Sequence, residues 1–198
     1  AATGIDAMVH AIEAFASANP NNNAISRALA CEALRLMGPA LARAVDEPHD
    51  MSARADMLLG SCHAGQAFAN SPVAAVHALA YPVGGHFKVP HGLSNALVLP
   101  HVIRFNAVTA PEPYAALAPI AFPELAGLNV PQAASGFADA LAALSVRCGL
   151  PSGLSGVGIS EGDLPLLARD AMNQSRLLVN NPREVTEADA FAIYGAAL

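Results

Sequence analysis

Apolar residues recur at helical spacing along most of the chain, and no stretch alternates apolar and polar positions as a strand would. Residues 5–18 read as a first helix, closed by Asn19-Pro20. Asn22 or Asn23 caps a second helix over about 24–37, whose apolar positions Ile25, Leu29 and Leu36 share one period. Gly38-Pro39 is expected to break that helix, leaving a short segment at 40–45 and a surface turn at 46–50. Asp50 or Ser52 then caps a helix through about Asn70. Pro72 opens an apolar run bearing His77 and Tyr81; Pro82 is expected to bend or end it, and Gly84-Gly85 to reverse the chain. Residues 93–99 read as the next helix, and the proline-rich 110–131 as short helices with turns. Residues 132–148 are amphipathic, and 152–158 form a Gly/Ser loop. Ser160 with Asp163 opens a helix to about Met172, and Thr186 with Asp189 resembles a capping box before a last helix to Ala197. The expected fold class is all-α.

Composition agrees. The chain is 54% hydrophobic and only 13% charged, and alanine dominates, which favours closely packed helices. Its 198 residues suffice for one domain with a substantial core. No apolar run approaches the ~18 residues of a membrane span. A net charge of −6 without Lys/Arg clusters argues against a nucleic-acid or anionic-membrane partner. Cys31, Cys62 and Cys148 are odd in number, far apart and in no C-x-x-C pair, and read as reduced thiols of a cytoplasmic protein. Ala1-Ala2-Thr3-Gly4 carries no secretory pattern. No Gly-rich phosphate loop follows a strand anywhere.

The chemistry concentrates in the histidines. Residues 71–106 hold four of the seven, in an apolar setting. His77 and His91 flank the double glycine, so that a helix, a reversal and a second helix can bring both imidazoles to one point. Near the start, Asp6 and His10 stand at i and i+4, on one helix face about 6 Å apart along the axis. Each pair alone has an ordinary reading: histidines are often satisfied core residues, and an Asp one turn before a His is common on any surface. Together they supply one carboxylate and three imidazoles, most of the shell of a divalent transition metal with room for substrate. Asn95, one turn past His91, is placed to hydrogen-bond that site. His49 reads as solvated, His63 as a packing or hydrogen-bonded residue, His101 as a structural, capping or packing residue near Asn106, and His86 as pointing away if His91 points in.

The run G-I-D-A-x-x-H-A-I-E-A, followed by V-H-A-L-A-x-P-x-G-G-x-F-x-x-P-H-G-x-x-N-A-x-x-L-P-H-V-x-x-F-N, resembles the iron-containing (group III) alcohol dehydrogenases. A-G-Q-A-F-A-N and N-P-R-E-V-T extend the likeness over nearly the whole chain. The resemblance implies an orthogonal multi-helix array similar to the C-terminal domain of the dehydroquinate-synthase-like fold. It implies Asp6, His10, His77 and His91 as ligands of Fe(2+), a donor set that also suits Zn(2+). It further implies NAD- or NADP-dependent oxidation of an alcohol, or reduction of an aldehyde or ketone, with the metal as Lewis acid. The dinucleotide would be held by an N-terminal α/β domain that this chain lacks, and a homodimer is expected. Phe68 falls at a position that lines the substrate pocket in relatives, or is an ordinary core residue. Tyr81 replaces a histidine that relatives often carry beside the metal and the nicotinamide, so that a proton-relay role passes to its hydroxyl or is lost. A maleylacetate-reductase-like enzyme and a non-catalytic metal-binding helical domain stay open as alternatives.

Overall fold

Ten α-helices and three short 3-10 turns, with no strand, make up the computed structural model, which describes residues 1–198. The helices are α1 (Ala2–Ala16), α2 (Ala24–Asp46), α3 (Met51–Asn70), α4 (Ala75–Phe87), α5 (His91–Ala107), α6 (Glu112–Ala121), α7 (Val130–Arg147), α8 (Leu164–Ala171), α9 (Ser175–Leu178) and α10 (Glu187–Ala196). Helix α1 is the axis of the arrangement. It packs against α2, α3, α5 and α6, and Ile5, Met8, Val9 and Ile12 are sealed within the core. On the far side α4 packs on α5 and α8, and α7 on α5 and α6.

The ends follow cap chemistry. Asn23 accepts from the Ile25 and Ser26 N–H groups and Ser26 returns the bond, a capping box. Asp50 and Asn129 cap α3 and α7, and Thr186 with Asp189 forms the predicted box on α10. Helix α4 lacks a cap of its own: Ala74 has no side chain to offer. A buried carboxylate of α1 does the work instead, because Glu13 Oε1 accepts the Val76 N–H at 2.6 Å.

The expected break at Gly38-Pro39 is absent, since α2 continues through it; α4 does not end at Pro82 or at the two glycines, and α5 continues past residue 99 through Pro100. A proline inside a helix costs about 3 kcal/mol. The flanking turns of α2 alone bury Leu34, Met37 and Leu41, each contributing about 1.5–3 kcal/mol. Packing therefore outweighs the lost hydrogen bond. The buried face of α2 agrees with the predicted stripe at Leu36, which is buried, and at Leu29, which packs on the core, but not at Ile25, which is 73% exposed; Ala30, Ala33, Leu34 and Met37 complete the inward face.

The chain reverses after α4 at Lys88, the one non-glycine residue in the left-handed region (φ 58°). Gly84 serves that reversal differently from the expectation, since a Cβ there would lie 3.3 Å from the returning Val89 carbonyl. Pro90 then leads into α5, whose first residue is His91. At Gly92 a Cβ would stand 2.7 Å from the Ala2 carbonyl, so only glycine lets the start of α5 sit against the start of α1. That close approach sets His91 beside Asp6.

Candidate metal centre

Three helices deliver the site. Helix α1 contributes Asp6, His10 and Glu13 on successive turns; α4 contributes His77 in its first turn; α5 contributes His91 at its N-terminus. The donor atoms of Asp6, His10 and His77 all lie within 4.8 Å of one another. The ring centroids of His10 and His77 are 4.6 Å apart, and those of His77 and His91 are 5.3 Å apart. Asp6 Oδ1 stands 3.8 Å from His77 Nε2 and 3.7 Å from His91 Nε2. All four sequence-expected residues are thus brought together, with His91 at the open side of a tighter trio.

The hydrogen bonds behind the rings fix which nitrogen faces inward. His10 Nδ1 lies 2.7 Å from the Asp6 backbone carbonyl. His77 Nδ1 lies 2.7 Å from Glu13 Oε2. Both partners accept, so both Nδ1 atoms carry a proton, and in a neutral ring the lone pair is left on Nε2. Burial, then the neighbouring His77, hold the His10 imidazole below the ordinary histidine value despite the opposing pull of Asp6. The neutral form so favoured is the one that ligates.

Asn95 fills the space between these donors. Its Nδ2 is 2.6 Å from Asp6 Oδ1, 3.3 Å from His77 Nε2 and 3.2 Å from His91 Nε2. An amide nitrogen has two hydrogens, and here it faces three acceptors. Its own Oδ1 is buried without a partner. The ion-pair contacts of Asp6 run to histidines alone, with no lysine or arginine among them. More lone pairs converge than the protein has hydrogens to satisfy, which is the arrangement a bound cation completes. One carboxylate oxygen with imidazole nitrogens is a donor set suited to a divalent transition metal.

Two aromatic residues border the donors. Tyr81 stacks on His91 with centroids 5.7 Å apart and planes at 25°, and it is 38% exposed. Phe68 meets His10 edge-on at 5.1 Å and is likewise partly exposed. The remaining histidines stay apart. His86 Nε2 pairs with Asp170 Oδ2 at 3.0 Å, and His63 faces Gln66. Burial of the His101 ring pushes its pKa down to about 4. A groove of about 460 Å³ beside Leu97, Pro100, His101 and Val146 is lined by none of the four converging residues. Sequence reasoning overlooked Glu13. The available signal was a lone acid inside the apolar run Ala11-Ile12-Glu13-Ala14-Phe15, one turn after His10.

The family model for the C-terminal part of the Fe-containing alcohol dehydrogenases matches residues 1–198. The chain belongs to this family. It is similar to long-chain-alcohol dehydrogenase 1 of Geobacillus thermodenitrificans, 42% identical over 201 residues that cover the whole chain and 49% of that relative. It is also similar to the NAD-dependent methanol dehydrogenase of Bacillus methanolicus, 34% identical over 197 residues, covering 100% of the chain and 51% of the relative. A solved 1,3-propanediol oxidoreductase superposes with a TM-score of 0.94 at 37% identity, again over all of this chain and 51% of that one. The chain spans about half the length of these relatives. Family relatives are alcohol and aldehyde oxidoreductases, and the all-helical fold is that of their C-terminal portion.

Proposed function

We propose that this chain is the metal-binding helical half of an NAD- or NADP-dependent alcohol dehydrogenase, acting on a small alcohol or the matching aldehyde or ketone. The observation that carries this reading is the convergence of Asp6, His10 and His77, with His91 closing the open side and the Nδ1 atoms of His10 and His77 tied to acceptors behind the rings. These four residues would hold the cation. Iron accords with the family, and zinc accords equally with the donor set. A divalent ion in this position supplies Lewis acidity toward the oxygen of the substrate. The Asp6 carboxylate offsets part of that charge, while the imidazoles keep the pocket neutral enough to admit an anionic oxygen. Phe68, beside His10, offers an apolar wall for the carbon skeleton and excludes water. The Tyr81 hydroxyl, one turn after His77 and exposed at the rim, passes the alcohol proton to solvent.

The dinucleotide belongs on an N-terminal domain outside these residues, in keeping with the twofold length of the relatives and the NAD dependence named for one of them. A cytoplasmic location agrees with three free cysteines and with the absence of any helix long and apolar enough to cross a membrane. The test uses the full-length protein with a series of primary alcohols and both cofactors. One divalent ion per chain and turnover that vanishes on chelation and returns with metal are expected. Undiminished turnover in the stripped protein, or in Asp6→Ala, would refute the reading.

A further inference from the structure

We infer that Glu13 is a positioning residue, which selects the metal-accepting tautomer of His77 and couples it to the start of α4. The inference rests on the metal reading above and concerns a residue to which that reading gives no role. Glu13 is 5% exposed and lies on α1, while both of its partners lie on α4, more than sixty positions along the chain. Oε1 accepts the Val76 N–H at 2.6 Å, and Oε2 accepts the His77 Nδ1–H at 2.7 Å. The ring is 2% exposed, so no solvent competes for it.

Two facing donors require a side chain that accepts at both ends, and only a carboxylate does so. The same group satisfies an orphan N–H of a helix with no side-chain cap and sits where the helix dipole favours negative charge. A buried acid without a cationic side chain is thereby held in place, and its second oxygen is left to orient the imidazole. His77 cannot turn its Nδ1 inward without abandoning that oxygen.

Glutamine at this position can serve only one donor. If its oxygen keeps the Val76 N–H, its NH2 faces His77 Nδ1 and forces the proton onto Nε2, the atom that faces Asp6. If its oxygen keeps His77, its NH2 opposes the Val76 N–H. Either arrangement removes the inward lone pair or disturbs the ring that carries it.

The experiment is a double-mutant cycle on the full-length protein, with Co²⁺ as the probe, competed against a chelator. Glu13→Gln is expected to weaken Co²⁺ binding about 10–100-fold, the range for groups that orient a ligand. The visible spectrum of its saturated form should report one nitrogen ligand fewer. In the His77→Ala background the same change should have no further effect, because the ring it acts through is gone. Affinity within twofold of the parent would overturn the inference. So would a loss that persists in full beside His77→Ala, or a Glu13→Gln protein that loses its helical circular dichroism, since either makes Glu13 a fold-holding group only. Failure of the parent protein to bind Co²⁺ would remove the metal reading itself, an outcome distinct from these.

Discussion

The floor and the rim of the proposed metal centre are built to different standards. On the floor, His77 is 2% exposed and its outer nitrogen is tied to a buried carboxylate; His10 is tied just as closely to the carbonyl one turn before it. At the rim, the His91 side chain is 45% exposed and rests on a stack with Tyr81 and on Asn95. The floor residues sit on helices fixed by the main core, whereas His91 sits at the first position of its helix, straight after a left-handed turn. Under the proposed reading the floor residues cannot adapt, so they would set the affinity for metal. The rim residues can shift at little cost, which suits the side of a site that must admit substrate.

The largest effect should come from removing the floor. Asp6→Ala or His77→Ala is expected to leave the full-length protein without stoichiometric metal as purified, read by elemental analysis, and with only weak binding that excess Co²⁺ still reveals, because no other side chain can take the place of the lost donor. Next is Tyr81→Phe, expected to lower turnover by roughly 10²-fold with metal content unchanged, the low end for a proton-transferring group. Loss of metal in that variant would mean that the rim and the floor are not separable. His91→Ala should weaken metal binding by only about 10–100-fold, closer to an outer-shell change, because water can reach the exposed position and take the place of the ring. Equal losses from His77→Ala and His91→Ala would erase the distinction between floor and rim.

The smallest effect concerns acid. His10 and His101 both titrate lower in the fold than their ordinary value of 6.5, His101 at about 4, in each case chiefly through burial. The unfolded chain therefore binds more protons than the folded one below pH 6.5. Stability is full above that value and is lost as pH falls toward the folded values. The unfolding midpoint of the metal-free protein should drop between pH 7 and pH 4.5, by about 2–4 °C for each kcal/mol in a chain of this size. His101→Phe should flatten that decline. An unchanged slope would show that His101 is more open to water than its packing implies.

The sequence made the floor partly visible. The Asp6–His10 spacing names one face of one helix, and the pairing with His77 and His91 follows once the chain returns on itself. The mechanism of that return was not visible. Gly84-Gly85 reads as a turn by its backbone freedom, yet tertiary packing keeps both residues helical and Lys88 takes the left-handed conformation. Pro39 misled in the same way, as did the helix end set at residue 99, because local propensity cannot register what neighbouring helices contribute. Glu13 was hidden for another reason. Its meaning lies in two hydrogen bonds to residues 63 and 64 positions away, and no short-range pattern encodes them.

Anomalous diffraction from crystals of the full-length protein, recorded on both sides of the absorption edge of the bound metal, tests the centre most directly. A single peak per chain is expected, about 2.0–2.3 Å from an Asp6 carboxylate oxygen and from the Nε2 atoms of His10, His77 and His91. A peak elsewhere, or coordination through Nδ1 of His10 or His77, would contradict the assignment.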